Sequence, residues 1–244
     1  MSGPTPDDAI VAVMGVTGAG KSTFVANAPR NPEPEIYETE INGKRVFLID
    51  TPGFDDSSGI DDADILKMTA AKLTQSSNDN MKLTSILLLH IITDNRLTGS
   101  SKRLQHVYEK VCGHEAFQSV VLGTTMWDDL GSEKKGIARE KQLREGDFWG
   151  RMVREGTDCC RLEDSEESAQ ELALKLVRKT PVEMQLQREL KDNSEELIQT
   201  AAGQELNQIY KKRVQKQESK SRLDDSEREE LDRQGKHKRR SKRP

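Results

Sequence analysis

The stretch GVTGAGKST, residues 15–23, decides how the rest of the chain is read. Gly15, Gly20, Lys21 and Ser22 match the spacing G-x-x-x-x-G-K-[ST], with Gly18 as a further glycine inside it. The motif follows directly on an apolar run, IVAVM, and precedes a segment with helical character. Glycines let the backbone turn tightly enough for successive N–H groups to point inward at phosphate oxygens. Lys21 offers a point charge to the outer phosphates, and is expected on their solvent-facing side rather than in the core. The Ser22 hydroxyl can ligate Mg²⁺, and the N-terminus of the following helix adds a partial positive charge. Gly15, Val16, Thr17, Gly18, Ala19, Gly20, Lys21, Ser22 and Thr23 therefore form the candidate phosphate-binding loop. The bland alternative is a glycine-rich turn without a ligand, and strand before plus helix after weighs against it.

Working outward, residues 10 to 180 alternate strand and helix signals. IVAVM reads as a buried parallel strand. EIYETEI and KRVFLID flank Asn42-Gly43, a strong two-residue hairpin signal because both positions tolerate positive φ. A helix over about 62–75, the strand SILLLHI and a helix over about 100–112 follow. Then come the strand SVVLGT, charged helices over about 133–155, a short strand near Cys159 and Cys160, and a helix over about 165–178. This order predicts a mostly parallel sheet with helices on both faces and one antiparallel hairpin strand at its edge.

Composition bounds the rest. The 244 residues are 33% hydrophobic and 33% charged, too polar for one uniformly packed body, so a polar extension is expected. The net charge of −4 argues against wholesale nucleic-acid binding. Three cysteines, Cys112, Cys159 and Cys160, lack metal-ligand or disulfide-framework spacing and read as reduced, mostly buried thiols of a cytosolic protein. MSGPTPDD has no signal-peptide character, and TSILLLHII is far shorter than the ~20 apolar residues of a membrane span, so no transmembrane segment is expected. After Pro181, Val182, Leu186, Leu190, Leu197 and Ala201, then Leu206, Ile209, Tyr210 and Val214, form a helical apolar stripe interrupted at KDNSEE. It suits packing back on the domain or coiled-coil pairing with a partner helix.

Two further stretches carry chemistry. LIDTPGFDD, residues 48–56, ends the third strand. Asp50 can hold Mg²⁺ through water, and Gly53 can offer its N–H to a γ-phosphate while the loop after it moves when that phosphate leaves. TTMWDDL, residues 124–130, follows the strand SVVLGT. Guanine presents a ring N–H and an exocyclic amine on one edge, and the Asp128 carboxylate can accept both. Adenine would leave that carboxylate unpaired, and the penalty confers selectivity. The Thr125 hydroxyl can buttress the loop, the apolar Met126 can cover a face of the base, and Trp127 is expected to pack rather than stack. An ordinary loop with an acidic cap is the competing reading.

Taken in this order, the phosphate loop, DTPGFDD, LLHIITDNRLTGSSKRLQHVYEKVCG and VVLGTTMWDDL resemble the fungal G-domain proteins related to the AIG/IAN (GIMAP) and septin-like P-loop GTPases. The likeness covers roughly residues 10–210 and includes RELKDNSEELIQTAAGQEL. It implies an α/β P-loop NTPase of the Ras-like G-domain type, with a mostly parallel sheet and a C-terminal helical extension. It also implies that Thr125 and Asp128 bind the base although Asn-Lys is replaced, that Ser22 and Asp50 serve Mg²⁺, and that Lys21 and Gly53 serve catalysis. The organisation expected is a flexible N-terminus (1–9), a G domain (10–180), a helical extension (181–232) and a basic tail (233–244). Family members associate through their G domains as homodimers or oligomers, so Asp94, Asn95 and Arg96 are candidate contacts, beside the plainer reading of an Asx-stabilised turn.

Two departures qualify the activity. The connection from Ser22 to Ile36 is short, a shortness that a truncated gene model would also produce, and Thr39, the only threonine between Thr23 and Thr51, alternates within a strand and is expected to be structural. Phe54 follows Gly53 where Ras-like enzymes place a water-orienting Gln; septins and GIMAPs also lack that Gln and hydrolyse slowly or only in assemblies. The expected function is thus guanine-nucleotide binding with slow GTP hydrolysis, as a nucleotide-dependent switch or assembly module. A nucleotide-stabilised module without turnover and an ATP-binding P-loop protein are the alternatives. The base-side loop near Glu163, Asp164 and Ser165 carries no clear motif, and His90 reads as a packed histidine. His106 and His114 have no partner spacing. The final KHKRRSKRP suits an anionic partner or nuclear entry of an otherwise cytoplasmic protein, or merely balances DDSEREELD.

Overall fold

The computed structural model describes residues 4–27, 36–51, 53, 62–77, 82–94, 99–193, 197–212 and 214–215. Strand β1 (Ala9–Gly15) is buried along its whole length, as a central strand must be when helices cover both faces. It pairs in parallel with β3 (Lys44–Asp50) on one side and β4 (Ser85–Ile91) on the other. Parallel pairing continues through β5 (Val120–Thr125) to β6 (Asp158–Arg161). At the opposite edge, β2 (Ile36–Ile41) runs antiparallel to β3, giving the order β2-β3-β1-β4-β5-β6. The hairpin turns on Asn42 at φ 54° and Gly43 at φ 73°, the two positive angles that the Asn-Gly pair predicts.

Alternation along β1 divides the core. Ala9, Val11 and Val13 join Leu87, Leu89 and Val121 on one face, where Phe24 and Val25 of α1 (Lys21–Asn27) and Leu172, Ala173 and Leu176 of α6 (Glu166–Val177) cover them. Ile10, Ala12 and Met14 point the other way and are equally buried. Helix α6 starts on a capping serine, with Ser165 accepting from the Ser168 N–H at 3.1 Å, and carries Glu166 and Glu167 in its first turn and Lys175 in its last. The other helices are α2 (Asp62–Ser77), α3 (Gly99–Cys112), α4 (Glu133–Glu145), α5 (Gly150–Arg154) and α7 (Gln185–Asn193).

One compact unit runs from the N-terminus to Glu205 and a second comprises Leu206–Pro244. Residues 181–205 of the expected extension thus belong to the first unit. An isolated antiparallel bridge joins Val182 to Leu83, and α7 packs against α2 and α3 with Leu186 fully buried. In the second unit, the described residues continue a helix through 212. Cys112 is buried and Cys159 and Cys160 half-buried, all three as free thiols. Among the described residues no helix is long and apolar enough to cross a membrane.

Candidate functional site

The first loop is shaped by close approaches that only glycine permits. Gly15 takes φ +151°, and a Cβ there would lie 2.5 Å from the Leu89 carbonyl oxygen. Gly20, at φ +83°, turns the chain into α1, where the Phe24 N–H donates to the Gly20 carbonyl at 2.9 Å. Within the loop the Ala19 N–H donates to the Val16 carbonyl at 3.2 Å, and the Lys21 ammonium donates to the same carbonyl at 3.0 Å. Lys21 is only 7% exposed. The expectation of a solvent-facing lysine is corrected: the loop wraps around the ammonium and the Val16 carbonyl compensates its burial.

The second stretch meets the first. The Ser22 hydroxyl donates to Asp50 Oδ2 at 2.8 Å, joining the first turn of α1 to the end of β3. Thr51 pins that strand end by donating both its N–H and its hydroxyl to the Val13 carbonyl, at 3.2 and 2.9 Å. The Thr17 hydroxyl donates to the Gly53 carbonyl at 3.3 Å, and a Cβ on Gly53 would lie 2.6 Å from the Thr17 nitrogen. Gly53 therefore rests directly on the glycine-rich loop.

Beyond the carboxyl end of β5 the third stretch walls a cleft of about 220 Å³. Gly20, Thr23 and Phe24 line one side, Thr125, Met126 and Asp128 another, and Leu162, Glu163 and Asp164 a third. The buried Thr125 hydroxyl lies 3.2 Å from the Ala19 carbonyl and 3.3 Å from the His90 carbonyl, so it ties this loop to the glycine-rich one. Met126 sits at φ 61°, a left-handed conformation unusual for a side-chain-bearing residue. Trp127 also lines the cleft, with its indole N–H donating to the Thr124 carbonyl and hydroxyl at 3.2 and 3.0 Å.

A search of solved structures finds Arabidopsis thaliana Toc33 in complex with GDP and Mg²⁺, at 15% identity and TM-score 0.56, covering 73% of this chain and 88% of that one. The chain has the fold of a G domain. The same G-domain likeness extends to Toc33 with Mg²⁺ and GMPPNP, at 15% identity and TM-score 0.54, covering 70% of this chain and 83% of that one. A structure of the chloroplast translocon components atToc33 and psToc159 matches at 16% identity and TM-score 0.54, over 70% and 82% of the two chains. A comparison with protein-family models finds no match, and neither does one with curated proteins.

On this G domain the structure brings Ser22 beside Asp50, Thr17 beside Gly53, and Thr125, Asp128 and Gly20 into one cleft. The loop at Glu163 and Asp164, expected on the base side but without a legible motif, forms the cleft's third wall with Leu162, held by β6 lying next to β5; the Leu162 N–H donates to the Thr124 carbonyl at 2.8 Å. The readable signal was the Ser165 cap that starts α6 just beyond it. His90, one residue before the end of β4, has its ring 5.2 Å from Phe148 and 5.7 Å from Trp149, and burial lowers its pKa to about 4 against a smaller upward pull from Asp94. Thr39 is buried within β2 opposite Val46, away from the loops, as a structural threonine would be. His114 has a partner that spacing did not reveal, Glu155 at 2.6 Å, and His106 faces Glu109 at 3.8 Å. Asp94 donates its N–H to the Ile91 carbonyl at 3.1 Å, as in a turn. Asn95, Arg96, Phe54, the connection 28–35 and the basic tail 233–244 lie outside the described residues.

Proposed function

We propose that this chain binds guanine nucleotides and hydrolyses GTP slowly, acting as a nucleotide-dependent switch or assembly module. The observation that carries the reading is the single cleft in which Asp128 faces the glycine-rich loop, with Thr125 hydrogen-bonded between them. Gly15 to Thr23 would cradle the phosphates, with Lys21 leaving the Val16 carbonyl for the outer phosphates. Asp128 would accept from the ring N–H and exocyclic amine of guanine, which adenine cannot match. The hydroxyl of Ser22 and carboxylate of Asp50, 2.8 Å apart, are hard oxygen donors suited to Mg²⁺, which would neutralise charge on the outer phosphates. Gly53, against Thr17, is positioned to sense the terminal phosphate.

The likeness to Toc33, solved with GDP or GMPPNP and Mg²⁺, supports this nucleotide and this ion. Dimerisation is important for the GTPase activity of atToc33 and psToc159, and we extend to this chain an association of G domains that completes a weak site. The finer kinship with AIG/IAN (GIMAP) and septin-like proteins rests on the sequence motifs, as does a cytoplasmic location. Phe54 in place of a water-orienting residue favours the second reading, a module that binds nucleotide and hardly turns over.

Isothermal titration with GDP, GTP and ATP analogues, with and without Mg²⁺, tests the proposal. Guanine nucleotides should bind at least about tenfold tighter than adenine nucleotides. Asp128→Asn should weaken GDP and favour xanthine nucleotide, which presents a carbonyl where guanine has its amine. Equal affinity for the two bases in the unmodified protein would end the guanine reading.

A further inference from the structure

Trp127 lines the cleft beside Met126 and Asp128, and three elements converge on its indole. The Arg161 guanidinium of β6 lies 4.1 Å from its ring centroid. Arg161 is itself held by Glu140 of α4, through its Nη2 at 2.8 Å and its Nε at 3.2 Å, and the Glu140 side chain is only 13% exposed. Gly136 of α4 admits the ring edge, since a Cβ there would lie 2.6 Å from Trp127 Cζ3. A glycine inside a helix weakens it relative to alanine, so its presence here matches the space the indole needs. The indole N–H then bonds the fully buried Thr124, whose carbonyl also takes the Leu162 N–H from the opposite wall of the cleft.

This clamp sits next to a strained turn. Met126 at φ 61° persists only if both neighbours are fixed, because a side chain disfavours the left-handed region. Thr125 is fixed on one side by the Ala19 and His90 carbonyls. Trp127 is the fixed point on the other. The turn between them is what presents Met126 and Asp128 to the cleft.

We propose that Trp127, clamped by Arg161, Glu140 and Gly136, is a positioning residue for base selectivity. It holds the turn at Met126 and so aims Asp128 at the base edge. The inference rests on the guanine reading. Loosening the clamp lets Asp128 wander from a two-donor geometry, which weakens guanine recognition but leaves the phosphate loop intact.

The test measures GDP and ADP affinities with Mg²⁺ for the unmodified chain and for Arg161→Ala, Arg161→Lys, Glu140→Gln and Gly136→Ala, each checked for folding by circular dichroism. Arg161→Ala and Gly136→Ala should each lower GDP affinity about tenfold and ADP affinity less than about twofold, collapsing the ratio. Arg161→Lys, still able to reach the ring and Glu140, should restore part of it, and Glu140→Gln, which keeps the shape of the partner, should fall between. Tryptophan fluorescence gives an independent readout: Trp149 is buried in the core, so a GDP-dependent change should vanish in Trp127→Phe. An unchanged GDP-to-ADP ratio in folded Arg161→Ala and Gly136→Ala would overturn the proposal and leave Trp127 as packing alone. A ratio near one in the unmodified chain would instead overturn the guanine reading beneath it.

Discussion

Acidification offers a quantitative test of the joint between β4 and the base-reading loop. His90 lies one residue before the end of β4, with its ring against Phe148 and Trp149 and its carbonyl 3.3 Å from the Thr125 hydroxyl. Burial lowers its pKa from 6.5 to about 4, with Asp94 opposing in part. The unfolded chain therefore takes up a proton near pH 6.5, whereas the folded chain resists until about pH 4. Stability from this group is intact above 6.5, declines as pH falls, and is lost once pH passes below the folded value. At pH 5 the loss amounts to about 2 kcal/mol, tending to about 3 kcal/mol at lower pH. Urea unfolding at pH 7 and pH 5 measures it when the unmodified chain is compared with His90→Asn. Other histidines and carboxylates titrate in both proteins and cancel, whatever His90→Asn costs in packing at pH 7. The unmodified chain should lose about 2 kcal/mol more than the variant across this interval. Equal losses, or an imidazole titration by nuclear magnetic resonance with a midpoint above 6, would refute the argument.

The remaining predictions concern the phosphates. Lys21→Ala should lower GDP affinity by about an order of magnitude or more, while circular dichroism shows the fold retained; a variant unfolded in excess nucleotide would make Lys21 structural. Gly53→Ala puts a methyl 2.6 Å from the Thr17 nitrogen and should move the loop after β3, abolishing hydrolysis in a phosphate-release assay while GDP still binds in titration. Unassisted hydrolysis should not exceed the slow Ras rate of ~10⁻⁴ s⁻¹ and should accelerate with protein concentration, with GDP and GTP affinities within about tenfold. Fast, concentration-independent turnover in a dilution series would mean that one chain completes the site alone.

How far the chain could be read depended on the range of the interactions. The fully apolar IVAVM run, the Asn42-Gly43 turn and the alternation of strands and helices are local signals, and the sheet follows them strand by strand. Ser22 and Asp50 were each legible as oxygen donors for Mg²⁺, and the parallel pairing of β1 with β3 brings them together. Long-range contacts behaved differently. Nothing near Trp127 announces Arg161, 34 residues later, whose approach follows from β6 pairing with β5. The burial of Lys21 was equally hidden, since it depends on a carbonyl that the loop turns inward only when folded. The stripe after Pro181 announced a helix but not its partners, and α7 found them in α2 and α3.

If the loop reads guanine as proposed, those contacts show how it would do so without its usual Asn-Lys opening. The first position must donate a hydrogen bond that ties the loop to the phosphate-binding turn, and the chemistry does not ask for an amide. The Thr125 hydroxyl reaches the Ala19 carbonyl at 3.2 Å from a buried position, where such a bond contributes about 1 kcal/mol and its loss would leave a buried acceptor unpaired. The second position must lay an apolar surface beside the base, and Met126, turned into the cleft by its left-handed backbone, has the flexible length to do so. What a shorter donor gives up is reach, and the structure supplies it by proximity, with the Thr125 hydroxyl within 3.2 Å of the Ala19 carbonyl of the glycine-rich loop. The two loops thus lie close enough for a threonine, in place of an amide, to join them.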